Sequence, residues 1–195
     1  MKITGICGSQ NENGSTAYAL KYALEIANNE NCDVEYFSTA GKKIHHCTGC
    51  WKCAETGNCI FNDDMTPITG SLRNCDGIIL ASPVYFGMVS SQLKTVMERC
   101  VVLRPSYSHP YVMTGKIGGG IACAGFRNGG QELTLQNIST FLMQINAMAV
   151  SDGPGFSHSG AAVTGDAKED VVGLQMVKNL TLNIINSIRI NRSMK

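Results

Sequence analysis

Short apolar runs recur along this chain, each followed by a loop and then by a stretch of helical period. Lys2–Cys7 (KITGIC), 76–82 (DGIILAS) and 116–124 (KIGGGIACA) lack the in–out alternation of a half-exposed strand. Unbroken apolar strands of that length belong to parallel sheets covered on both faces. Between the first strand and a β-like run at 32–37 (CDVEYF), Ala17, Leu20, Ala23, Leu24 and Ala27 repeat at helical spacing. The first 40 residues therefore read strand–loop–helix–strand, and parallel strands need such a crossover.

The same reading continues downstream. Asp63 and Asp64 precede Met65, Ile68 and Leu72, which predicts a capped helix. Helices are expected over 90–103, 131–146 and 168–190, and a short fifth strand over 147–150. The Gly- and Ser-rich stretch 151–165 reads as a loop. Five strands alternating with helices imply an α/β fold, an open doubly wound five-stranded parallel sheet. No repeat or internal boundary interrupts it, so residues 1–195 are expected to form one domain, with 44–62 inserted as a cysteine-rich loop.

Composition removes several function classes. Hydrophobic residues make up 44% and charged residues 16% of the 195, which is a globular balance. Sixteen basic against fifteen acidic residues leave a formal charge of +1, with no field to attract nucleic acid or an anionic membrane. No run approaches the roughly 20 apolar residues that span a bilayer, and the amino terminus runs straight into a strand. We expect a cytoplasmic protein.

Nine cysteines are present, four of them within residues 47–59. Cys7, Cys32, Cys75, Cys100 and Cys123 lie in or beside apolar runs and are expected to be packing residues. Cys47-x2-Cys50-x2-Cys53-x5-Cys59 is different. Thiolates three apart in a tight loop can wrap an inorganic core, and the first three match the bacterial ferredoxin run. Gly49 and Gly57 would relieve crowding around it. Zinc is the alternative, although its usual arrangement is two separated Cys pairs. A disulfide with free thiols is disfavoured in a reducing compartment. His45 and His46 adjoin the motif but are not needed as ligands.

Three loops fall at strand ends, where doubly wound sheets bind ligands. Ser9, Gln10, Asn11, Gly14, Ser15 and Thr16 follow the first strand and open a helix, an arrangement suited to a phosphate. Pro83, Val84, Tyr85, Phe86 and Gly87 could wall a planar ring. Ala124, Gly125, Arg127, Gly129 and Gly130 form a third loop whose glycines permit close approach to a ligand.

These three segments, with Ser90, Leu93-Lys94 and Gln131-Glu132, resemble the NADPH-dependent FMN reductase superfamily over about residues 1–150. The resemblance implies a flavodoxin-like fold in which the first loop holds the FMN phosphate and the other two hold the isoalloxazine ring. Gln10-Asn11 stand where many relatives have Pro-Arg. The compact cysteine motif and its Cys59-x3-Asp63-Asp64-Met65 continuation resemble the iron–sulfur flavoproteins of archaea and anaerobes. That branch implies one [4Fe-4S] cluster on Cys47, Cys50, Cys53 and Cys59 and one FMN per subunit. It also implies a homodimer or homotetramer in which one subunit's cluster approaches a neighbour's flavin. Residues 151–195 could contribute to that contact, and a redox protein such as ferredoxin could be the partner. An NAD(P)H-dependent FMN or quinone reductase with a structural zinc loop shares the flavin loops. A non-enzymatic scaffold presenting a metal knuckle is the third reading.

Overall fold

The computed structural model describes residues 1–104 and 111–194. β1 (Lys2–Cys7), β2 (Asp33–Ser38), β3 (Gly77–Pro83), β4 (Ile117–Ala124) and β5 (Met148–Ala149) form a parallel sheet in the order β2-β1-β3-β4-β5. This is the flavodoxin-like order, with the switch point between β1 and β3. The register is continuous: Ile3 pairs with Val34 on one side and Gly77 on the other, and Leu80 pairs with Gly120.

Alternation along the strands sends side chains to two apolar layers. Ile3, Cys7, Ile79 and Ile121 pack under α1 (Ser15–Asn29) and α6 (Val171–Ser193). Ile6, Ile78 and Leu80 pack under α3 (Met65–Asn74), α4 (Ser91–Arg99) and α5 (Gln131–Gln144). β4 carries three glycines so that both helix layers can close on it. A Cβ at Gly118 would stand 2.8 Å from Leu142, and one at Gly119 2.6 Å from Leu180.

The sheet differs from expectation in its last position. β6 (Ala161–Thr164) lies inside the stretch read as a loop and pairs with the carboxyl half of β4, Ile121↔Ala161 through Ala124↔Thr164. β5 pairs only with Ile117 and Gly118, so the fifth strand is split in two. Four residues (AAVT) behind a glycine give no local strand signal; the pairing is long-range. Helix ends also shift. The 90–103 helix tightens into a 3-10 turn over Cys100–Leu103, and α6 begins at Val171 rather than 168. Asp170 sets that start, its carboxylate accepting from the Gly173 N–H at 2.9 Å and the Thr164 N–H at 2.7 Å. No described helix is long and apolar enough to cross a membrane.

Candidate functional site

The first loop leaves the carboxyl end of β1 and is tied to its neighbour at once. The Gly8 N–H donates to the Ala81 carbonyl at 2.8 Å, and the Ser90 hydroxyl donates to the Gly8 carbonyl at 2.6 Å. A Cβ on Gly8 would come within 2.6 Å of the Leu93 Cβ. Ser9 and Asn11 bond to each other, and the Asn11 side chain accepts from the Asn13 N–H. Gly14 then stands at the start of α1 in extended conformation, and no side chain caps the helix. Its first-turn N–H groups and dipole are left facing the loop, the arrangement that binds a phosphate.

Two of the expected side chains point elsewhere. The Ser15 hydroxyl donates to the Gly165 carbonyl at 2.8 Å and accepts from the Ala167 N–H at 3.1 Å. Its only proton is committed, so Ser15 offers the site its backbone N–H. The Gln10 amide bonds to Thr39 and Gly41 beyond β2. Thr16 is buried next to Cys123.

The second loop is a tight hairpin. Tyr85 and Met88 exchange backbone bonds of 3.1 and 2.9 Å across Phe86 (φ 53°) and Gly87 (φ 74°). Two successive left-handed residues make a type I′ turn. It lifts the Phe86 ring wholly into solvent and leaves Tyr85 half exposed. Val84 is anchored to the Cys123 carbonyl at 2.8 Å. The third loop touches this hairpin: Gly130 has φ 97°, and a Cβ there would stand 2.8 Å from the Gly87 Cα. Gly125 faces open space, and Arg127 is exposed beside Phe126. Gln131, buried below, donates to the Phe126 carbonyl at 2.9 Å, while its Oε1 has no partner among the described residues. Sequence reasoning omitted Gln131 from the site, although the polar residue opening α5 was visible.

The cysteine loop is a separate construction. Gly49, Trp51 and Gly57 are left-handed (φ 64°, 59° and 73°), and a one-turn helix α2 (Lys52–Thr56) carries Cys53. These bends bring Cys47, Cys50, Cys53 and Cys59 around one cavity of about 60 Å³, closed by Ile60, Phe61, Arg99 and Val102. By the measure in which one water needs roughly 10–15 Å³, there is room for several atoms. Among the described residues, no three ligating side chains converge on an ion-sized point. The donor set and spacing fit a polynuclear core better than one zinc ion. Burial first, then the charges of Cys59, Cys47 and Cys50, push the Cys53 thiol up. Four thiolates here repel one another unless a cationic core shares them. The Gly49 N–H already points at the Cys47 sulfur, 3.5 Å away. His45 and His46 do not line the cavity; the His45 ring stacks on Phe61 at 4.0 Å.

A profile of the NADPH-dependent FMN reductase family matches residues 1–161. The chain belongs to this family. An iron–sulfur flavoprotein of Methanocaldococcus jannaschii is 37% identical over 97% of the chain and 98% of its own length. One from Methanosarcina thermophila is 34% identical over 91% and 90% respectively. A WrbA-like flavodoxin structure from Agrobacterium tumefaciens, 18% identical, superposes with a TM-score of 0.66 over 97% of each chain, a likeness of fold.

Two features of the cysteine loop's surroundings were not legible as site residues beforehand. Asp63 and Asp64 were expected to cap α3; Asp63 does hold the first N–H of α3, and both also clamp the stem of the cysteine loop. The Asp64 carboxylate accepts from the Lys43 N–H at 2.7 Å; Asp63 accepts from the His45 N–H at 2.9 Å and from the Met65 N–H at 3.1 Å. Arg99 completes the clamp. Its Nη1 donates to Asp63 and to the His45 carbonyl, both at 2.7 Å, and its Nη2 to Asp63 at 3.1 Å. Burial alone would raise the Asp63 carboxyl, but bonds from Arg99, His45 and Met65 hold it below its usual range. Burial opposes the Arg99 charge, and Asp63, then Cys59, more than offset that. Arg99 lies three residues from Val96 on the apolar face of α4, which is the signal a sequence reader could have used.

The remaining five cysteines are buried. Burial pushes the thiols of Cys100 and Cys123 up to about 12. They are inert packing residues, as expected.

Proposed function

We propose that this chain is an electron-transfer flavoprotein that binds FMN at the three strand-end loops and a [4Fe-4S] cluster on Cys47, Cys50, Cys53 and Cys59. The observation that carries this reading is the four thiols drawn around one cavity in a chain that belongs to the NADPH-dependent FMN reductase family. The α1 N-terminus would hold the flavin phosphate, and the hairpin at Phe86-Gly87 with Gly125 and Gly130 would hold the ring. When bound, the cluster supplies one-electron and the flavin one- or two-electron chemistry, so together they join the two kinds of traffic. The protein's own part is to hold, shield and tune them; no acid, base or nucleophile is required.

We further propose that the protein works as a homo-oligomer. α4 is capped by Ser90, beside the proposed flavin loops, and ends at Arg99, on the cysteine cavity. Nine residues at 1.5 Å rise separate the two sites by about 13 Å of helix. A second copy could bring its cavity to the first copy's flavin loops. Both regions expose apolar side chains suited to such a contact: Trp51 and Ile60 at the cavity, Phe86 and Phe126 at the loops. The loop at 151–160 and α6 could add to it. The unpaired thiols suit a cytoplasmic setting.

The donor we favour is a small iron–sulfur protein such as ferredoxin. Anaerobic mixing tests this: reduced ferredoxin should bleach the flavin bands rapidly and NADPH slowly or not at all. Fast bleaching by NADPH with no response to ferredoxin would instead identify a nicotinamide-dependent flavin or quinone reductase.

A further inference from the structure

Arg99 is the most deeply buried cation among the described residues, 2% exposed at the carboxyl end of α4. A guanidinium has five N–H donors in a fixed planar fork. Four face acceptors on the cysteine loop: Asp63 twice, the His45 carbonyl, and the Phe61 carbonyl at 3.4 Å. The fifth, on Nε, is buried and has no partner among the described residues. A buried donor on a charged group is rarely left unpaired without a reason. Arg99 also forms part of the wall of the cavity lined by the four thiols. Cys59 is the thiol within its electrostatic reach.

We propose that Arg99 is a positioning residue of the iron–sulfur centre, its Nε–H donating to a cluster-ligating sulfur and its charge raising the cluster's reduction potential. This rests on the two-cofactor reading above. Outer-sphere hydrogen bonds and nearby charge are the means by which a protein sets such potentials. Reduction adds one negative charge to the cluster and neither makes nor breaks a bond. Arg99 stays protonated throughout, so no proton moves with the electron. A fixed cation and an N–H aimed at sulfur both favour the more negative, reduced form. Asp63 offsets part of that charge, which makes the pair a tuning device with opposite handles.

The test is a potentiometric titration of the anaerobically purified holoprotein, dithionite as one-electron donor, followed by the electron paramagnetic resonance signal of the reduced cluster. Arg99→Gln should disfavour reduction about tenfold, a shift of about 59 mV to lower potential for a one-electron couple. Asp63→Asn, which leaves the arginine charge uncompensated, should shift it the other way. Arg99→Lys, keeping charge but losing the fork, should fall between wild type and Arg99→Gln. A purely structural clamp would move no potential, or would lose iron in both variants without opposite shifts; either result overturns the proposal. Should Arg99→Gln fail to hold iron, Asp63→Asn and Arg99→Lys decide it alone, and unchanged potentials in both overturn it. Wild-type protein without iron would instead sink the two-cofactor reading itself.

Discussion

Asp63 shows how much one side chain can settle. Its two oxygens take bonds from Arg99, from the amino end of the cysteine loop and from the start of α3. Its folded pKa is lowered, so the stability it contributes is present above its unfolded pKa of about 3.9 and is lost as pH falls through the folded value. Asp63→Asn leaves the buried Arg99 unpaired and should cost about 3–5 kcal/mol at neutral pH. Denaturant titrations of both proteins should show that gap at pH 7 and one that narrows progressively as pH is lowered below about 3.9. At Gly130 the constraint is steric rather than electrostatic. With φ 97° and the Gly87 Cα in the path of a Cβ, Gly130→Ala should cost about 1–3 kcal/mol of backbone strain and weaken FMN binding by at least tenfold, read by flavin fluorescence on dilution.

At the scale of elements, long periodic segments were legible and their joints were not. α1 was visible because five apolar residues repeat at helical spacing and a glycine precedes them; it runs over Ser15–Asn29, as expected. β3 and β4 were visible because parallel strands buried on both faces read as unbroken apolar runs. β6 was invisible because its stability comes from β4, not from its own four residues. It depends on Asp170, whose carboxylate holds the Thr164 N–H of β6 and the first turn of α6 at once. Asp170→Ala should therefore cost about 1–2 kcal/mol and speed amide exchange at Thr164 and Gly173 ahead of the rest of the sheet. Ser15 is the reverse lesson. Its position at the start of α1 was read correctly, but the direction of its hydroxyl was set by Gly165 and Ala167, 150 and 152 residues downstream.

For the whole molecule, the candidate site divides into what local sequence spells out and what only the fold assembles. Four closely spaced cysteines announce a metal loop by themselves. The cation beneath them does not, because Arg99 reaches Asp63 from another helix. Nor does spacing reveal that α4 holds the two sites apart, which is the geometry behind the proposed oligomer. The cysteine loop adds little to the core, since α2 buries none of its residues. Replacing all four ligands by serine should accordingly leave a folded, FMN-binding protein, with a melting temperature within a few degrees of the apo wild type. Most direct for the central claim is a joint assay of iron, acid-labile sulfide and FMN per chain in anaerobically purified protein. Four irons, four sulfides and one FMN are expected, with iron and sulfide lost but FMN kept in Cys59→Ser. One zinc per chain without sulfide, or a chain with no flavin, would contradict it.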